Sequence, residues 1–203
     1  MVSLKTVSIN IDDSVLVQKS QAGDTMAMER LILKYQNRIY NVILKMCGNP
    51  DDAAELAQEA FVKVIESIGK FKGRSSFYTW LFRIAVNLTL NYCQRNAKMA
   101  TRSLDAEDNQ ADGQSRQVLK DFLTDDSVAD PAALAQRREL CDLALQAMLD
   151  LDEPQRAVMV LRDIEGMDYA QIADVLNIEL GTVRSRLSRA RSHLREILEA
   201  MQK

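Results

Sequence analysis

Cysteine, histidine, proline and glycine are all scarce in this chain of 203 residues, with three Cys, one His, three Pro and seven Gly. Cys47, Cys93 and Cys141 are far apart and odd in number, and together with His193 they make no plausible zinc set. They read as ordinary small thiols in a reducing cytosol. With so few prolines and glycines, long windows run without a helix breaker, and strand-like alternation is nearly absent, so the chain reads as all-α. No run of about 18 apolar residues is present to span a bilayer. The opening MVSLKTVSINIDDS has no basic-then-apolar targeting pattern. A soluble, cytoplasmic protein with no direct membrane insertion is therefore expected. No activated nucleophile, metal set or phosphate-cradling glycine loop stands out, so neither catalysis nor a cofactor is indicated. A strong net charge is missing too: 26 Lys and Arg against 29 Asp and Glu give −3. That balance argues against a protein that coats DNA unaided. With 47% hydrophobic residues the chain can bury one good core or two small ones.

The charge is unevenly spread, and the segment from Asp168 to Leu198 shows this best. It reads DYAQIADVLNIELGTVRSRLSRARSHLREIL, two helical patterns joined by a turn around Asn177 to Gly181. Asp168 is placed to cap the first, which carries Ile172, Ala173, Val175 and Leu176 at helical spacing. In the second, Val183, Leu187, Ala190, Leu194 and Leu198 fall on one narrow stripe at about 100° per residue. The rest of that helix bears Arg184, Arg186, Arg189, Arg191 and Arg195 among Ser185, Ser188 and Ser192, with no acid from Arg184 to Arg195. A solvated arginine-rich helix is the plain alternative. The packed preceding helix and the tight turn favour a helix-turn-helix whose second helix enters the DNA major groove. Arginines there read guanine edges or phosphates, and serines bond either. Glu179 breaks a local rule, because a Ser or Thr cap is expected there and its charge repels phosphate.

Upstream, the punctuation predicts helices over about Asp13 to Ala22, Thr25 to Cys47, from Asp51 onward, and Phe77 to Met99. Gly48-Asn49-Pro50 stops the second. Met28, Leu31, Ile32, Tyr35, Ile39, Val42, Ile43 and Met46 carry its core spacing. The third opens with Asp51, Asp52, Glu55 and Glu59 and has no base until Lys63, more acid than the helix dipole needs. A basic protein partner is the second reading of that face. Next comes the basic loop Gly69 to Ser76, with Phe71 as an exposed-looking aromatic. The fourth helix combines Phe77, Tyr78, Trp80, Phe82 and Tyr92 with Arg83, Asn87, Asn91, Arg95 and Lys98. Aromatics interleaved with bases and amides suit unpaired nucleobases and their phosphates, although Trp80, Leu81, Ile84, Ala85 and Leu88 have core spacing.

From residue 100 to 130 the texture changes. Asp105, Glu107, Asp108, Asp112, Asp121, Asp125, Asp126 and Asp130 face few bases, apolar residues thin out and periodicity fails. This reads as an acidic flexible linker. The expected organisation is one small helical domain over 1–99, the linker over 100–130 and a second helical domain over 131–203, opened by Asp130 and Pro131.

Taken together these residues resemble a bacterial RNA polymerase sigma factor of the extracytoplasmic-function group, over nearly the whole chain. DDAAELAQEAF, Asp51 to Phe61, resembles that family's polymerase-docking helix. GRSSFYTWLFRIAVN, Gly73 to Asn87, is similar to its promoter-melting segment, and LRDIEGMDYAQIADVLNIELGTVRSRLSRAR, Leu161 to Arg191, to its −35 reader. The resemblance implies two all-α domains, sigma regions 2 and 4. It implies that Asp52, Glu55, Gln58 and Glu59 face the clamp helices of the polymerase β′ subunit, with the β flap as a further contact. Phe71, Lys72, Arg74, Ser75, Ser76, Tyr78, Arg83 and Asn87 are implied to capture a flipped base of the −10 element, repaying unstacking by pocket contacts. Thr182, Arg184, Ser185, Ser188 and Arg189 are implied at the −35 major groove. The resemblance further implies promoter DNA and core polymerase as partners, an inhibitory anti-sigma factor, and action by binding rather than chemistry. The alternative is a stand-alone helix-turn-helix regulator, which leaves Asp51 to Asn87 without a role. A thiol-based redox sensor is a rival of another class.

Overall fold

The computed structural model describes residues 12–102 and 143–201. The lead-in before residue 12, most of the predicted linker, the start of the second predicted domain and Cys141 lie outside the described residues.

Local signals place the first four helices. Asp12 caps α1 (Asp13–Gln21) by accepting from the Ser14 N–H. Asp24 caps α2 (Thr25–Cys47) by accepting from Met26 and Ala27, and Gly48 ends that helix at φ +79°. A positive φ there is the usual glycine exit from a helix. Pro50, expected as part of a stop, instead sits in the first turn of α3 (Pro50–Ser67), where its missing N–H costs nothing. The Asn49 side chain accepts from Asp51 and Asp52. A 3₁₀ turn, Ile68–Lys70, leads through the basic loop to α4 (Phe77–Arg102). The Ser76 hydroxyl accepts from Thr79 N–H at 3.0 Å and starts α4.

Helix α4 lies across α2 and α3 and buries Phe77, Leu81, Phe82, Ala85 and Val86. The predicted mixed aromatic surface is corrected here: Phe77 and Phe82 are 5% and 0% exposed. Their spacing with Leu81, Ala85 and Val86 makes one stripe aimed at the other two helices, so they build core rather than a base-stacking face. Trp80, Ile84 and Leu88 are half-buried instead of central.

The described part of the second unit runs from α5 (residues 143–149) to α6 (Glu153–Met159) and one π turn, Val160–Ile164. Gly166 at φ +69° turns the chain into α7 (Tyr169–Leu176). Asp168 and Gln171 form a reciprocal capping box, with bonds of 2.8 and 2.9 Å. Helix α8 (Leu180–Met201) packs on α6 and α7 through Val183, Leu187 and Ala190. The turn differs from the sequence expectation. It comprises Asn177, Ile178 and Glu179, with Asn177 taking φ +52° while Gly181 is already helical. Asn tolerates the left-handed region because its side chain can bond locally.

The two units are packed together. Helix α7 lies along α4, and one continuous apolar core joins Ile39, Phe82 and Val86 to Leu161, Met167 and Ile172.

Candidate nucleic-acid and polymerase surfaces

The basic loop between α3 and α4 is held from below. Gln21 of α1 donates through Nε2 to the carbonyls of Ile68, at 2.9 Å, and Phe71, at 2.8 Å. Sequence reasoning missed Gln21, which no local pattern distinguishes. Phe71 is half-buried rather than exposed, its ring 5.0 Å from Trp80 and 6.2 Å from Phe77. Three aromatic rings thus form the floor of the loop. Lys72 and Arg74 are exposed at its rim, Ser75 is half-buried, and Gly73 makes the turn at φ +66°. A cleft opens between this loop and α1, lined by Gln18, Gln21, Phe71, Lys72 and Ser75. Ser76 is at the same place, but its hydroxyl serves α4 as a cap.

Of the α4 residues predicted to meet DNA, Asn87 is exposed, whereas Tyr78 and Arg83 face the second unit. Arg83 is ion-paired with Asp174 of α7. The Tyr78 hydroxyl donates to Glu165 at 3.2 Å, and Arg38 of α2 stacks 4.9 Å above the Tyr78 ring. Arg38 also pairs with Glu165 at 2.9 Å. Burial first, and then the Glu165 charge, push the Tyr78 hydroxyl up to about 12, so it stays a neutral donor.

On α3, Glu55, Gln58 and Glu59 point outward and Asp52 is half-buried. The Tyr92 hydroxyl of α4 bonds Asp52; burial and that bond push Tyr92 up to about 12. Glu59 pairs with Lys63 at 3.3 Å, an exposed contact worth little. Val62 and Ile65 continue the same face at 45% and 49% exposure. Sequence reasoning passed over both, although they fall off the buried period of Ala53, Leu56, Ala57, Ala60 and Val64.

On α8, Arg184, Ser185, Ser188 and Arg189 are exposed and Thr182 is half-exposed. The five therefore share the free surface of the helix, opposite its buried stripe. Ser185 donates to the Thr182 carbonyl at 3.1 Å, and Arg191 pairs with Asp163 at 2.7 Å. The carbonyl of Glu179 accepts from the Thr182 and Val183 N–H groups, so this acid stands just ahead of the helix N-terminus. There a negative charge is favourable to the helix.

Comparison with known proteins places the chain in a family. The family model described as Sigma-70 region 2 matches residues 31–99, and that described as Sigma-70, region 4 matches residues 141–194. The chain belongs to the sigma-70 family of RNA polymerase sigma factors. Among its relatives is the RNA polymerase sigma-H factor of Pseudomonas aeruginosa, 35% identical over 190 residues, covering 93% of this chain and 95% of that protein. The ECF RNA polymerase sigma-E factor of Escherichia coli K12 is 32% identical over 189 residues, covering 91% and 93%. Two solved structures share the fold. CnrH in complex with the cytosolic domain of CnrY has a TM-score of 0.63 at 22% identity, covering 93% of this chain and 97% of that one. RpoE in complex with the anti-sigma factor NepR, from Bartonella quintana, has a TM-score of 0.64 at 20% identity, covering 84% and 96%.

Proposed function

We propose that this sigma factor of the extracytoplasmic-function type divides promoter recognition among three surfaces of its own chain. As an alternative sigma factor it binds core RNA polymerase and directs it to specific promoters. Asp52, Glu55, Gln58 and Glu59 on α3 dock on the β′ clamp helices, with the β flap as a second contact for region 4. Lys72, Arg74 and Ser75, above the Phe71 ring, together with Ser76, Tyr78, Arg83 and Asn87, take the melted −10 strand. Thr182, Arg184, Ser185, Ser188 and Arg189 read the −35 groove. The observation that carries this reading is the coexistence of an exposed acidic helix face with an acid-free, outward-facing recognition helix in one chain. A stand-alone regulator has no use for the first. Sharing DNA affinity with polymerase also accounts for a net charge near neutrality.

The mechanism is binding, not bond-making. Docking positions the two DNA-reading regions, and a flipped base trapped over the aromatic floor repays a few kcal/mol of unstacking. The domain division 1–99, 100–130 and 131–203 and action in the cytoplasm belong to the same reading. So does an anti-sigma partner, since two of the similar folds were solved as complexes with such inhibitors or partner domains.

Two charge variants test the division of labour. Glu55→Lys with Glu59→Lys should abolish co-elution with core polymerase while leaving the fold intact. Arg184→Ala with Arg189→Ala should keep co-elution and lose −35-dependent initiation. Core binding that survives the first pair would remove α3 as the docking face.

A further inference from the structure

Gln21 of α1 has only one group left to offer the cleft between α1 and the basic loop. Its amide lies 2.9 Å from the Ile68 carbonyl and 2.8 Å from the Phe71 carbonyl. A carbonyl oxygen accepts and never donates, so both contacts require the NH2 end of the amide. Its two protons meet two acceptors, and Nε2 is saturated. These partners fix which end of the amide is which. Oε1 is therefore the free end, an acceptor that cannot become a donor without breaking both loop contacts. Gln18, about one turn earlier, lines the same cleft, but no bond among the described residues fixes its amide. A freely turning amide offers either a donor or an acceptor and discriminates nothing.

We propose that this cleft selects the base it traps by an exocyclic amine, with Gln21 Oε1 as the discriminating acceptor. Adenine or cytosine fits, and thymine and guanine do not. This inference rests on the −10 reading of the basic loop, and it adds Gln21 as a specificity-determining residue.

The two walls of the cleft set the orientation of a base. Phe71 and Lys72 make the loop wall, so a base stacked on the ring keeps its phosphate near the lysine and turns its edge toward α1. Adenine presents N6–H2 and cytosine N4–H2 at the same end of that edge, whereas thymine presents O4 and guanine O6 there. The amine donates to Oε1 while the loop contacts stay intact. A carbonyl oxygen in its place meets Oε1 acceptor to acceptor, with no proton between them. The rest of the α1 wall has the same polarity, because Asp12 and Asp13 also line the cleft and carboxylates only accept. A site built around one hydrogen bond strongly rejects the analogue that lacks it, since its own polar group is then left unpaired. Gln21 thus holds the loop with one end of its amide and reads the base with the other.

The test uses holoenzyme made from core polymerase and the full chain, with labelled promoter probes left unpaired across the −10 box. An abasic nucleotide moved through the non-template strand identifies the trapped position as the one where it weakens binding most. That position then carries each of the four bases, and also purine and pyrimidin-2-one, which are adenine and cytosine without the exocyclic amine. The better of adenine and cytosine should bind about tenfold more tightly than thymine or guanine, the worth of one good base contact. Loss of its amine alone should cost the same factor. Gln21→Glu and Gln21→Met both lose the donors to the loop, so both should bind more weakly overall. Glu keeps an acceptor and should keep the preference, whereas Met has none and should lose it. Co-elution of both variants with core polymerase shows that they fold. Thymine or guanine bound as tightly as the amine-bearing bases would overturn the inference, and so would a preference that survives in Gln21→Met. The −10 reading is judged separately. If one position is sensitive to the abasic nucleotide while the bases there bind alike, the present inference alone falls. If no position is sensitive, the −10 reading falls with it.

Discussion

Leu149 of region 4 lies against Gly48 of region 2 so closely that a Cβ on Gly48 would stand 3.0 Å from Leu149 Cδ2 and 3.2 Å from Cδ1. The same glycine has φ +79°. Gly48→Ala therefore meets two obstacles: a left-handed backbone, which costs about 1–2 kcal/mol for a residue with a Cβ, and the Leu149 side chain. The unfolding free energy from urea titration should fall by that amount or more. Leu149→Ala in the Gly48→Ala background should relieve the contact and leave the backbone cost. If Gly48→Ala were neutral, the packing of the two regions at this point would be wrong.

Arg156 ties the junction from the other side. Its guanidinium donates to the carbonyls of Met46 at 2.5 Å, Leu149 at 2.7 Å and Leu151 at 2.9 Å. The Met46 carbonyl belongs to the last turn of α2, where no helical N–H follows to meet it. Arg156→Ala should cost about 3 kcal/mol, since hydrogen bonds to a charged group are each worth about 1.5–3 kcal/mol and do not add fully. Arg156→Lys keeps the charge without the fork and should recover less than half. Equilibrium urea unfolding with an unchanged slope is the measurement.

Gln21 gives a functional prediction with little structural cost. Its amide holds the carbonyls of Ile68 and Phe71 in place under the basic loop. Gln21→Glu keeps the size and removes both donors. Stability should change by about 1 kcal/mol or less, the net worth of such bonds. Promoter melting, read by permanganate reactivity of unpaired thymines, should drop several-fold as the loop loses its register. Unchanged melting would mean that the Phe71–Trp80 floor alone positions the loop.

Alkaline pH offers a fourth check. Burial pushes the Cys47 thiol up to about 11 from its ordinary 9.0. The folded chain therefore holds this proton longer than the unfolded one, and stability falls as pH rises from about 9 to about 11. At about 1.4 kcal/mol per unit the loss is about 3 kcal/mol. Cys47→Ser should make the profile shallower across that window, the part that remains coming from the Cys93 thiol, also raised by burial, and from the tyrosines. Tyr78 and Tyr92, both pushed up to about 12, make the decline continue above pH 10 in wild type and variant alike. A thiol held this high is a poor nucleophile near neutrality, which weighs against a redox-sensing role for Cys47.

Much of the helical framework was legible because its signals are local. Asp12, Asp24 and Asp168 cap where a short polar side chain precedes an apolar period, and Gly48 ends α2. The stripe of Val183, Leu187 and Ala190 is buried as its spacing predicts. What stayed hidden depends on partners distant in sequence. Phe77 and Phe82 look like neighbours of Arg83 in a list, yet α2 and α3 decide that they face inward. Arg38 and Glu165 are 127 positions apart, and no periodicity links them. The turn expected around Asn177 to Gly181 is shorter at its far end for a different reason: Asn177 shares with glycine the ability to take positive φ, so Gly181 is free to join the helix. Val62 and Ile65 were legible in principle, as apolar residues off the buried period of α3.

Run-off transcription with purified core RNA polymerase, with and without this protein, decides whether it directs initiation. Discrete transcripts that depend on the protein are expected, with mapped starts downstream of a common pair of −35 and −10 boxes. Tight, specific DNA binding by the protein alone, with no initiation by core polymerase in its presence, would contradict that expectation.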